Sequence, residues 1–111
     1  MEGAPKEEKM IDVTELTTED VVGLIQEKGI ENPEVVDIVT RWTIYQEELV
    51  KRINTSRATI MFNVARADLY IAAGDKQEAW NCLEEVREAA FDERDETLYN
   101  TIMQKMDELE K

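Results

Sequence analysis

The chain predicts an all-α fold, a compact bundle of about five helices. Apolar residues recur at three- and four-residue spacing through most of its length, and helix start and stop signals fall between those stretches. No period-two alternation of useful length argues for a sheet. With 111 residues, 42% of them hydrophobic, the chain is long enough for one domain with one core. Residues 1–9 carry Gly3, Pro5 and five charges without a periodic apolar face, so they predict a disordered leader. Residues 10–111 predict a single all-helical domain.

The elements follow in order. Met10 to Leu16 predicts a short extended lead-in, pinned to the core by Met10, Ile11 and Val13. A first helix should begin at Thr17 or Thr18, because Thr17 with Asp20 makes a capping pair. Val21, Val22, Leu24 and Ile25 give its apolar side, and Gly29 is its stop. Asn32-Pro33-Glu34 is a second start. Asn accepts from free amides, Pro fits the first helical position and Glu complements the dipole. Val35, Ile38, Val39, Trp42, Tyr45, Leu49 and Ile53 then form one continuous stripe. Asn54-Thr55-Ser56 should interrupt it, although no Gly or Pro enforces a break and one bent rod is the alternative.

The third helix, about residues 57–72, is apolar on two sides. Ala58, Phe62, Ala65 and Leu69 make one strip, and Ile60, Val64, Ala67 and Ile71 make the other. Such a helix is expected at the centre of the bundle. Gly74 should end it and Asp75 should cap the fourth helix, whose buried face is Ala79, Leu83, Val86 and Ala90 with Trp80 beside it. Glu84, Glu85 and Glu88 mark its wet side. Asp92 to Glu96 is a polar connection, and Leu98, Ile102, Met106 and Leu109 are the stripe of the fifth helix.

Composition excludes several chemistries. There is no His, the commonest general base and metal ligand. Ser56 is the only serine and falls at a helix start, where capping explains it. Cys82 is the only cysteine, so no disulfide can form within the chain, and burial mid-helix is its expected state. The four glycines make no phosphate loop. Asp92 to Glu96 lacks the spacing of a calcium loop and contains Arg94. No enzyme activity, cofactor or metal is therefore expected. The chain has no membrane-spanning run and its start, MEGAPKEEK, has no signal-peptide core, so the expected location is cytoplasmic.

The net charge is −13, spread almost evenly: residues 1–56 hold 13 acids and 6 bases, and residues 57–111 hold 13 acids and 7 bases. That field opposes nucleic acid and anionic lipid and favours basic partners. Lys51, Arg52 and Arg57 are the only local basic concentration, which suits a helix C-terminus. Trp42 and Trp80 are candidate partner anchors, with the core as the competing place for both.

Residues 57–91 resemble one tetratricopeptide repeat, a helix-turn-helix unit of about 34 residues. The matches are Ala67, Tyr70, Gly74, Asp75, Glu78, Ala79, Leu83 and Val86. Asn63 and Arg66 stand where that register has large apolar residues, and Phe91 stands at its closing proline. Residues 1–56 show no second copy, so the resemblance implies a single hairpin of similar shape, with the fifth helix over its open side. It also implies binding. Carried onto this chain, Met61, Val64, Asp68 and Ile71 would line the binding surface, unless they are simply core.

The expected function is therefore a non-enzymatic protein–protein interaction module. It would be a small acidic adaptor or chaperone-like subunit that takes a basic or amphipathic segment in a groove between helices two, three and four. The alternative is an acidic inhibitor or immunity-type protein that imitates nucleic acid, with Glu84, Glu85 and Glu88 as a phosphate-like row. A homodimer is a third expectation, resting on the two-sided third helix and the five methionines.

Overall fold

A computed structural model describes residues 11–110; the expected leader, the Met10 anchor and Lys111 lie outside the described residues. Five α-helices follow one another: α1 (Thr18–Lys28), α2 (Pro33–Ile53), α3 (Ser56–Ala73), α4 (Lys76–Asp92) and α5 (Glu96–Leu109). There is no strand among the described residues.

The lead-in differs from its expectation. Val13–Glu15 is a turn of 3-10 helix, not extended chain. The Asp12 carboxylate accepts from the Thr14 hydroxyl at 2.6 Å and from the Thr14 amide at 3.0 Å, which curls the backbone. Those two bonds also hold the Asp12 carboxyl below its ordinary range.

Every helix start has a chemical cause. Thr17 and Asp20 form a reciprocal capping box before α1, at 3.1 and 3.0 Å. Asn32 accepts from the Glu34 and Val35 amides and starts α2. Asn54 then adopts a left-handed conformation (φ 55°), and Thr55 accepts from the Ala58 amide to begin α3. α2 and α3 are thus two helices and not one bent rod, and Asn tolerates the left-handed turn in place of Gly. At Gly74 (φ 85°) the chain closes α3 with two bonds, Gly74 N–H to the Ile71 carbonyl and Asp75 N–H to the Tyr70 carbonyl. This is a Schellman closure. Asp75 and Asp95 cap α4 and α5.

The core has two halves that share α3. On one side Ile60 and Ala67 pack with Ala79, Cys82, Leu83, Val86 and Ala90 of α4 and with Ile102 and Met106 of α5. On the other, Leu69 joins Val13, Val21, Ile25, Val35, Ile38 and Trp42, with Ala65, Ala72 and Ala73 against them. The central position expected of the third helix is what its two apolar strips produce. Trp42 is 2% exposed, and its indole N–H donates to the Leu16 carbonyl at 3.0 Å. Arg41 donates to the Ile11 carbonyl at 3.0 Å. Together they tie the lead-in to α2. The Cα extents are 56 × 34 × 17 Å, so the bundle is a slab with two broad faces.

Candidate partner-binding surface

Along α3, positions 61, 64, 68 and 71 share one face, because 3.6 residues make a turn. That face looks toward α1 and α5. A groove of about 460 Å³ opens there, with Val22, Ile71 and Ala72 as its apolar part and Glu19, Asp68 and Lys105 as its charged part. Lys105 of α5 donates to the Asp68 carboxylate at 2.8 Å, so the pair bridges α5 and α3. Asp68 and Ile71 therefore line one groove. Met61 lies farther along the same face and is 50% exposed, while Val64 is half-buried against the α4–α5 side of the core.

This placement corrects the expected groove between helices two, three and four. Asp68 and Ile71 open toward α1 and α5, and Val64 of the same face packs against the α4–α5 side of the core. Between α2 and α4 lies a different arrangement, centred on Arg66. A cavity of about 350 Å³ between α1, α2 and α3 is lined by Ile25, Ile30, Val39, Leu69 and Ala73, with Thr43, Arg66 and Tyr70 as polar neighbours. A recess of about 250 Å³ between α3 and α4 holds Glu78, Asn81, Cys82 and Glu85, again beside Arg66.

Arg66 is a residue that sequence reasoning passed over as a mismatch. Its guanidinium donates to Asn63 Oδ1 at 3.3 Å and lies 5.9 Å from the ring centroids of both Phe62 and Tyr70. Asn63, buried in the core, in turn donates to Glu85 at 3.4 Å. The signal was present: Phe62, Arg66 and Tyr70 follow at four-residue spacing, so the rings flank the guanidinium on one helix face. Burial pushes Arg66 down, but Tyr70 and the negative groups beside it outweigh that and hold its proton more firmly. Burial pushes the Cys82 thiol up, Glu85 and Glu78 add to the rise, and Arg66 opposes it. A raised thiol is a poor nucleophile at neutral pH.

The two tryptophans have separate fates. Trp42 lies inside the core and presents no anchor to a partner. Trp80 is half-buried against the α4 side, where its indole N–H donates to Glu84 at 3.2 Å. An aromatic that the sequence did not single out is more open. Phe91, off the buried stripe of α4, is 65% exposed and meets the edge of Tyr99 at 5.6 Å. It borders a hollow of about 570 Å³ at the α4–α5 turn, which an Arg57–Asp95 ion pair ties to the start of α3.

Among the described residues no cluster of three or more His, Cys, Asp or Glu side chains could hold a metal ion. No helix there is long and apolar enough to cross a membrane. No family model matches the chain, and neither curated proteins nor solved structures gave a significant match. The candidate surface thus stands on its own geometry: an open apolar strip on a central helix, with acids at its edge.

Proposed function

We propose that this chain is a non-enzymatic protein–protein interaction module, a small acidic adaptor or chaperone-like subunit. It holds a basic amphipathic segment of a partner in the groove between α1, α3 and α5. One observation carries the reading: the exposed Ile71, with the half-buried Val22 and Ala72 beside it, lines a groove with the carboxylates of Glu19 and Asp68. Apolar side chains of the partner would bury against that strip and supply affinity. Its cations would meet acids at the edge, and the net charge of −13 would speed encounter and discourage acidic competitors. The proposal does not depend on the tetratricopeptide-like pattern of residues 57–91. The inhibitor alternative draws less support, because two members of its row are engaged within the molecule: Glu84 with Trp80 and Glu85 with Asn63.

A fluorescent amphipathic helix built from Leu and Lys is a suitable probe, with its Leu/Glu counterpart as control. In anisotropy titrations the basic probe should bind and the acidic one should not. Ile71→Asp should weaken binding at least tenfold with an unchanged circular-dichroism melt. Val36→Asp, on the exposed side of α2, should leave it intact. Equal binding of both probes, or indifference to Ile71→Asp, would reject the groove.

A further inference from the structure

The apolar stripe of α2 is covered for only half of its length. Val35, Ile38 and Trp42 are buried, and no residue from Thr43 to Ile53 is. Yet the stripe continues: Tyr45, Leu49 and Ile53 repeat the spacing, with Val50 beside them. Leu49 and Val50 are half-buried and Ile53 is 58% exposed. Neither half of the core claims Leu49, Val50 or Ile53.

The charges around this open half differ from the rest of the molecule. Between Thr43 and Ile53 two acids, Glu47 and Glu48, are balanced by two bases, Lys51 and Arg52, so this half is neutral in a chain whose net charge is −13. Elsewhere a second copy would meet a surface of its own sign; here it would not. Glu48 and Arg52 stand four residues apart and so share one flank of the helix. Lys51 reaches Glu48 only at 4.0 Å, and Arg52 is exposed with no ion pair among the described residues.

We infer that the C-terminal half of α2 is a self-association surface whose occupant is a second copy of this chain, packed antiparallel about a two-fold axis near Leu49 and Val50. A two-fold contact must be complementary to itself. This one is: the axis sets Glu48 of one copy against Arg52 of the other, and Arg52 of the first against Glu48 of the second. Tyr45, Leu49 and Ile53 of the two copies then close over each other between those pairs. A partner of a single charge would meet one like charge on the same flank, which is why a second copy fits better than an acidic or a basic peptide. The surface is separate from the α1–α3–α5 groove, and either can fail without the other.

Sedimentation velocity at low salt, from about 1 µM to about 1 mM, brackets the weak affinities expected of a contact this small. The chain should dimerise within that range. Ile53→Glu should weaken dimerisation at least tenfold; the exposed position spares the fold, which circular dichroism checks. Glu48→Arg and Arg52→Glu, each alone, set like charges across the axis and should do the same. The double variant E48R/R52E should dimerise again, and so should an equal mixture of the two single variants, whose charges pair only in the mixed dimer. Ile71→Asp should leave dimerisation unchanged. A monomer throughout the range, a dimer indifferent to Ile53→Glu, or singles that do not recover on mixing would each overturn the proposal. An acidic peptide that binds the monomer and is lost with Ile53→Glu would also overturn it, by giving the patch another occupant.

Discussion

The two halves of the core are built from different side chains. On the α4–α5 side, Ala67, Ala79, Cys82 and Ala90 are small and almost fully enclosed. On the α1–α2 side every buried residue is Val, Ile, Leu or Trp. α3 serves both, offering Ala67 to one and Leu69 to the other. Small residues let helix backbones approach closely, whereas bulky ones hold them apart. The α3–α4 contact is the most extensive in the molecule. Hollows border both halves, about 250 and 570 Å³ along α4 and about 350 Å³ between α1, α2 and α3, and the last is lined by Ile25, Val39 and Leu69 of the bulky half. Close contact makes one half intolerant of added volume; large side chains make the other intolerant of lost volume.

The sharpest break of that comparison is Trp42→Ala. It removes the largest side chain of the α1–α2 half and leaves the Leu16 carbonyl without its indole donor. Truncating a buried Trp costs about 3–5 kcal/mol, so urea unfolding should show a loss of that order. Trp80 becomes the only fluorescent tryptophan and reports on the α4 side. If unfolding of Trp42→Ala costs under about 1 kcal/mol, the α1–α2 half does not depend on its bulk.

Ala79→Leu and Ala73→Leu sharpen the contrast with a smaller effect. Ala79 is fully buried where α3 meets α4. Overpacking such a site costs about 1–3 kcal/mol. Ala73 borders the cavity on the other side, so the same substitution meets free space and should leave the melting temperature level or higher. Equal losses for both would mean that the two halves are packed alike.

Much of this fold was legible in the sequence because its boundaries are written in single residues. Thr17 with Asp20, Asn32-Pro33 and Gly74-Asp75 each announce a cap, and each cap forms. The lead-in was not legible, because the Asp12–Thr14 hydrogen bonds that curl it are local and leave no periodicity. The α2–α3 break was only half legible, because Asn54 adopts a conformation usually given to Gly. The candidate groove was less legible still. Periodicity places Asp68 and Ile71 on one face of α3, but which neighbours that face meets depends on crossing geometry. Trp42 illustrates the limit. Its place on an apolar stripe fits an anchor or a core residue equally, and only the path of Leu16 over it decides.

Cys82 tests the small-residue half through pH. Burial raises its thiol above the ordinary value. A raised folded value means that the neutral thiol belongs to the folded state. Stability is then fully present below the unfolded thiol's pKa of about 8.5, and falls as pH climbs from there through the folded value. Denaturation midpoints should decline over that alkaline window in the native chain, and Cys82→Ala should flatten the decline. The native thiol should also resist a disulfide reagent at pH 7 and react once urea unfolds the chain. Rapid labelling of the folded protein would place Cys82 outside the core.

The Asp68–Lys105 pair carries the smallest expected effect and joins the comparison to function. It spans from α3 to α5 across the edge of the groove, and both side chains are about 30% exposed. Solvent at that exposure weakens the attraction, so Lys105→Met should cost no more than about 1 kcal/mol of stability. Its effect on binding should have the opposite sign. Without Lys105 the Asp68 carboxylate loses its internal cation and the groove becomes more acidic beside Ile71 and Val22. The basic Leu/Lys probe should then bind several-fold tighter, while Asp68→Asn should bind it more weakly at a similar cost in stability. Loss of both stability and affinity in Lys105→Met would assign the pair to the fold alone. Lower stability with tighter binding in Lys105→Met would mean that Lys105 occupies the place a partner's cation takes.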